Sequence, residues 1–140
     1  MQQRMRRFVA ALTAATVTTF GAVAIAPAPA QAATGWDLTG TPGDVAGAWA
    51  YGTWWWSGGR LYVEVKVKDT KSDGYAAVVS LTASYNDGGT RTEGVGNSSG
   101  AGKTVTKEFN FAGNVTRITG QECLVNNNTN CINLSSGRIY

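Results

Sequence analysis

The chain contains no histidine. That excludes Ser-His-Asp and Cys-His nucleophilic sites, which need an imidazole base, and every His-ligated metal centre. Cysteine is almost as scarce, with only Cys123 and Cys131. Zinc requires four ligands, so a disulfide is the expected use of this pair. A bridge across 123–131 is worth roughly 2.5 kcal/mol through the unfolded-chain entropy it removes. No window repeats apolar residues with the 3.6 period of a helix. Beyond residue 26, no apolar run approaches the ~20 residues that a membrane-spanning helix needs.

The first thirty-two residues form a separate region of composition. Arg4, Arg6 and Arg7 are followed by an uncharged Ala/Thr/Val-rich run over Phe8–Ala26. Pro27 and Pro29 then precede Ala30-Gln31-Ala32. A basic start, an apolar middle and a small-x-small exit predict a secretory signal peptide over 1–32, cleaved after Ala32. Export leaves no membrane segment in the mature chain and favours oxidised cysteines. The expected localisation is therefore secreted, extracellular.

Cleavage also changes the charge. The twelve basic residues less these three arginines leave nine, matched by nine acids. A neutral mature chain has no basic excess to displace counterions from a phosphate backbone, so nucleic acid is not an expected partner.

Residues 33–45 are Gly/Pro/Thr-rich and read as an irregular lead-in. Residues 46–140 read as a single domain of strands separated by turns. Over Arg60–Lys68, Leu61, Val63, Val65 and Val67 alternate with polar residues, the period of a strand with one buried face. Further strands are expected at Ala46–Trp56, Tyr75–Tyr85, Thr90–Val95, Lys103–Phe111, Val115–Val125 and Cys131–Ile139. Turn residues punctuate them at 57–59, 72–74, 86–89 and 112–114. Gly94–Gly102 reads as a Gly/Ser-rich loop. About seven strands predict an all-β, two-sheet antiparallel β-sandwich, Ig-like or jelly-roll-like, with a small β-barrel as the alternative.

Trp49, Tyr51, Trp54, Trp55 and Trp56 crowd into one strand. Neighbouring strand residues point to opposite faces, so the three consecutive tryptophans cannot all enter one core. A two-residue Gly58-Gly59 loop sets Trp56 opposite Leu61 and Trp54 opposite Val63. Trp49, Tyr51, Trp55 and Tyr62 then share the other face with Glu64, Lys66 and Lys68. A three-residue loop would exchange the two sets. Four aromatics among polar groups suit a binding platform for sugars or protein surfaces. The competing expectation is that the lead-in, a loop or lysine stems cover the rings.

Other candidates are weaker. Glu64, Glu108 and Glu122 are the glutamates on expected strands that a two-carboxylate hydrolase would use. Asp69–Gly74 echoes a calcium loop but has Lys71 where an acid or amide belongs, and reads instead as a hairpin turn. Loop 124–130, stapled by the cysteines, suits a protease or glycosidase inhibitor, with Leu124 or Val125 as the specificity residue. Asn97, Asn114, Asn127 and Asn133 stand in N-glycosylation sequons, relevant in a glycosylating host.

The Arg-rich start, the exit Ala-Pro-Ala-Pro-Ala-Gln-Ala and the strand–turn Val-Lys-Asp-Thr-Lys-Ser-Asp-Gly at 67–74 resemble small secreted proteins of actinobacteria. The resemblance implies an exported β domain and carries no site residues. Taken together, the expectation is a secreted, non-catalytic binding module. It recognises an extracellular or cell-surface glycan or protein through Trp49, Tyr51, Trp55 and Tyr62, without a cofactor or metal. The inhibitor and the carboxylate-dependent hydrolase are the alternatives.

Overall fold

The structure, a computed structural model, describes residues 31–38, 45–126 and 130–140. Residues 1–30 of the expected signal peptide, and Asn127 with the rest of 127–129, lie outside the described residues. The described chain is all-β, with two antiparallel four-stranded sheets that do not close into a barrel. The first sheet has the order β1 (Thr34–Asp37), β2 (Ala48–Ser57), β3 (Arg60–Asp69), β6 (Thr104–Phe111). The second has the order β5 (Thr90–Asn97), β4 (Ala76–Tyr85), β7 (Val115–Val125), β8 (Cys131–Arg138).

The period-two pattern explains the packing. Leu61, Val63, Val65 and Val67 of β3 are fully buried, as are Ala77, Val79, Leu81 and Ala83 of β4. Phe109 and Phe111 of β6 join them from the sheet edge. Each strand thus gives one side to a shared interior, as a sandwich requires. The β2–β3 hairpin adopts the two-residue loop, pairing Ser57 with Arg60 and Trp56 with Leu61. Gly58 and Gly59 both have positive φ, 56° and 74°, the conformation that a type I′ turn requires and that glycine supplies most readily.

Three local expectations need correction. The lead-in is not wholly irregular: Thr34–Asp37 pairs with Tyr51–Trp54 as an edge strand, raising the strand count to eight. The segment 70–75 is not a hairpin turn. It crosses from β3 in one sheet to β4 in the other. Its two acids cap their own loop, Asp69 Oδ1 accepting from Lys71 N–H at 3.0 Å and Asp73 Oδ1 from Tyr75 N–H at 3.1 Å. Finally, β5 continues to Asn97, well into the segment read as a loop, because Val95 packs inward and Asn97 is buried.

Two buried polar side chains tie the sheets together. Asn97 donates from Nδ2 to the carbonyls of Val67 at 2.9 Å and Lys103 at 2.8 Å, and accepts from Ser99 N–H at 3.0 Å. Glu122 reaches from β7 to the first sheet, where its Oε2 accepts from Ala50 N–H at 3.0 Å. Ala50 faces the end of the short β1 and accepts from Leu38 N–H on its carbonyl. The glutamate therefore supplies an acceptor for the amide where β1 stops, and buried amides need one.

On the opposite side, Arg91 of β5 donates to the Asn110 carbonyl at 2.9 Å and lies 5.3 Å from the Phe111 ring centre. This joins the edges of β5 and β6. Cys123 and Cys131 form a disulfide across the β7–β8 hairpin.

Candidate binding face

The outer face of the first sheet is built by the residues that alternate with the buried stripe. Along β2 these are Trp49, Tyr51, Thr53 and Trp55, set against Lys68, Lys66, Glu64 and Tyr62 of β3. All four aromatics assigned from the sequence therefore lie on one face, and each is half-buried. Trp54 and Trp56 turn inward and pack against the core. Their rings meet Tyr140 edge-on, with centroids 5.0 and 6.0 Å away. The register separates the two sets because Gly58-Gly59 fixes it and one residue of slip would invert every side chain.

The four rings form two pairs. Trp49 stacks on Tyr51 with centroids 4.2 Å apart and planes 25° apart. Trp55 stacks on Tyr62 with centroids 5.6 Å apart and planes 12° apart. Stacking thus engages one side of each ring, and each ring stays partly exposed. Trp49 is further held by Asp37, whose Oδ1 accepts its indole N–H at 3.1 Å, and by Lys68, whose ammonium lies 5.8 Å from its centroid. The described part of the lead-in thus runs beside the stripe as β1, and its Asp37 holds Trp49. A lysine stem sits against the same ring.

Between the pairs lies a polar gap of Thr53, Glu64 and Lys66. Lys66 Nζ donates to Glu64 Oε1 at 2.6 Å. This hydrogen bond, opposed by a little desolvation and aided by the charges of Glu64 and Tyr51, raises the Lys66 ammonium above its ordinary pKa. The ammonium stays charged through neutral pH, and its contribution fades only as pH rises past the raised value. Tyr51 and Trp55 are four positions apart, about 13 Å along the strand, and the whole stripe from Trp49 runs about 20 Å.

The three glutamates are not equivalent. Glu64 of β3 faces Glu108 of β6 directly across the ladder, on the same outer face as the aromatics. Glu122 is fully buried between the sheets and serves the backbone. Of the two residues offered for an inhibitory loop, Leu124 belongs to the core and Val125 is half-buried, so neither protrudes. Asn97 of the first sequon is fully buried with its amide nitrogen doubly engaged, so it does not present a glycosylation acceptor in the folded chain. Sequence reasoning missed the structural parts of Asn97 and Glu122. The available signal for the second was its phase, since Glu122 stands at even spacing from Ile118 and Leu124 on the side of the strand that turns inward.

Compared with protein-family models, curated proteins and solved structures, the chain shows no match.

Proposed function

We propose that the mature chain is a secreted, non-catalytic module that binds an extracellular or cell-surface carbohydrate on the outer face of its first sheet. The observation that carries this reading is the pair of aromatic stacks on a face the core does not need. The inner face already buries Leu61, Val63, Val65 and Val67 completely. Four half-exposed rings on the far side therefore have an energetic cost in water without a packing role, as recognition surfaces do. A stripe about 20 Å long suits an internal stretch of a linear polysaccharide better than a single sugar. The polar gap at Glu64 and Lys66 supplies a hydrogen-bond acceptor and donor between the two stacks. The Cys123–Cys131 bridge supports export to an oxidising compartment.

The test is retention of the purified protein on insoluble plant and cell-wall polysaccharides, wild type against Trp55→Ala and Trp49→Ala. The reading expects retention that both variants lose while remaining folded. Retention unchanged in both variants would remove it.

A hydrolase is the second reading, favoured by one observation. Glu64 and Glu108 are direct cross-strand neighbours, which sets their Cβ atoms roughly 5 Å apart. Two carboxylates so placed beside aromatic rings are the raw material of glycoside cleavage. Release of reducing sugar that disappears in both Glu64→Gln and Glu108→Gln would establish it.

A further inference from the structure

A second concave feature lies on the other sheet, at one end of the sandwich. The two crossover segments 70–75 and 98–103 meet there beside the end of β7 and enclose a cleft of about 590 Å³. That volume falls in the ~300–1,000 Å³ range of small-molecule sites. Its floor is apolar: Ala76 and Val125 are cross-strand partners, and Val78 lies next along β4. Val78 faces Gly96 of β5, which has no side chain to fill the space above it. The Tyr75 ring, half-buried, forms a wall.

The rim is polar and partly rigid. Asp69 is 3% exposed, and the Asp73 side chain 16%. Each has its Oδ1 held by a loop N–H, so both carboxylates are oriented before any ligand arrives. Lys71, largely exposed, lies 3.9 Å from Asp73 Oδ2, and Asn126 adds an amide. The two acids disfavour an anion. The lysine disfavours a cation. The polar rim disfavours a wholly apolar ligand. A neutral ring with one apolar side and several hydroxyls satisfies all three conditions. Its C–H side lies on Val78 and Tyr75, its hydroxyls donate to Asp73 and accept from Lys71 and Asn126.

We propose that this cleft is a separate site for a single pyranose unit, on the opposite sheet from the aromatic stripe. It shares the carbohydrate reading of the stripe only in ligand class, and none of its residues lies on that face. Preset acceptors reduce the ordering cost of binding. A half-open cleft of this volume fits one terminal sugar, whereas the longer stripe fits chain interiors. With both sites, one molecule engages two places on a polysaccharide at once and gains avidity.

Amide chemical-shift titration with methyl glucopyranoside, methyl mannopyranoside and N-acetylglucosamine tests the proposal. The expected result is shifts at Tyr75, Val78 and Asn126 with at least one of them. Asp73→Asn, which keeps the loop acceptor, weakens that binding about tenfold, the scale of one charge-assisted hydrogen bond. Val78→Phe fills the floor and abolishes it. Neither variant alters polysaccharide retention through Trp55. No shift at the cleft with any of the three sugars overturns the proposal, as do shifts that persist undiminished in both variants. Cleft shifts in a protein that no polysaccharide retains would remove the stripe reading and leave the cleft.

Discussion

Trp55 and Tyr62 face each other across the β2–β3 hairpin with their rings only 12° from parallel. Their neighbours Trp56 and Leu61, one step along the same ladder, point the other way and meet the core. Adjacent tryptophans thus point to opposite faces, and substitution separates them. Trp55→Ala removes a half-exposed ring and its stack, a loss of about 1 kcal/mol. Trp56→Ala removes a ring packed against the core and Tyr140, a loss of about 3 kcal/mol. Chemical denaturation measures both. On the proposed carbohydrate reading, the expected outcome is polysaccharide retention at least tenfold lower for Trp55→Ala with little change in midpoint, whereas Trp56→Ala mainly moves the midpoint.

Glu122 is fully buried, and its partner is a backbone amide on the opposite sheet. Glu122→Ala deletes the acceptor, strands the Ala50 N–H and opens a cavity, for a combined loss of about 3 kcal/mol. Glu122→Gln preserves an oxygen of the same reach and loses less. Any hydrolytic activity of the protein should survive Glu122→Gln, because this residue has no access to solvent. An activity lost in a stably folded Glu122→Gln protein would contradict its structural assignment.

Asn97 holds the crossover 98–103 against both sheets through three hydrogen bonds. Asn97→Ala takes a donor from the buried Val67 carbonyl and from the Lys103 carbonyl, which keeps the Asp69 N–H, and costs about 1–3 kcal/mol by the penalty for an unsatisfied buried group. The same engagement makes a second, chemical prediction. Expressed through a glycosylating secretory pathway, the folded protein carries no glycan at Asn97, while the exposed Asn133 sequon remains available. Peptide mapping by mass spectrometry reads this directly.

The parts of the fold legible in the sequence are those governed by local rules. The alternation from Leu61 to Val67 and the Gly58-Gly59 turn determine a face and a register without reference to any other strand, and the candidate stripe followed from them. The crossovers were not legible. A segment such as Ser72-Asp73-Gly74 carries the same turn residues whether the chain returns to its own sheet or crosses to the other. That choice depends on which strand covers the valine stripe, a long-range packing matter. β1 was hidden for a similar reason: Thr34–Asp37 has no periodicity of its own and becomes a strand because the edge of β2 offers unpaired groups. The role of Glu122 follows in turn from where β1 ends.

Gly52 shows how narrowly the stripe is fitted. A Cβ built at this position would collide with the Glu64 backbone carbonyl and would come within 3.1 Å of the Trp36 indole nitrogen. Backbone cannot give way as a side-chain tip can, so Gly52→Ala spreads β2 from β3 at the polar gap between the two aromatic pairs. The expected loss is about 2 kcal/mol or more, as for overpacked cores, accompanied by altered fluorescence of the neighbouring tryptophans. A Gly52→Ala protein of wild-type stability would show that the strands separate at no cost.

Reduction of Cys123–Cys131 distinguishes the aromatic face from the stapled loop. The bridge closes the β7–β8 hairpin in the second sheet, whereas the stripe lies on β2 and β3 of the first. Opening it restores entropy to the unfolded chain and lowers stability by roughly 2.5 kcal/mol, measured as an earlier denaturation midpoint in reductant or in a Cys123→Ala/Cys131→Ala protein. At temperatures where the reduced protein is still folded, the proposed polysaccharide retention should be unchanged, because the stripe lies on the outer face of the other sheet. An inhibitor acting through 124–130 behaves oppositely. Its loop would lose its preset shape, and inhibition would weaken by more than the fold does. Retention that falls in step with reduction, in a protein shown to be folded, would move the binding site from the first sheet to the hairpin.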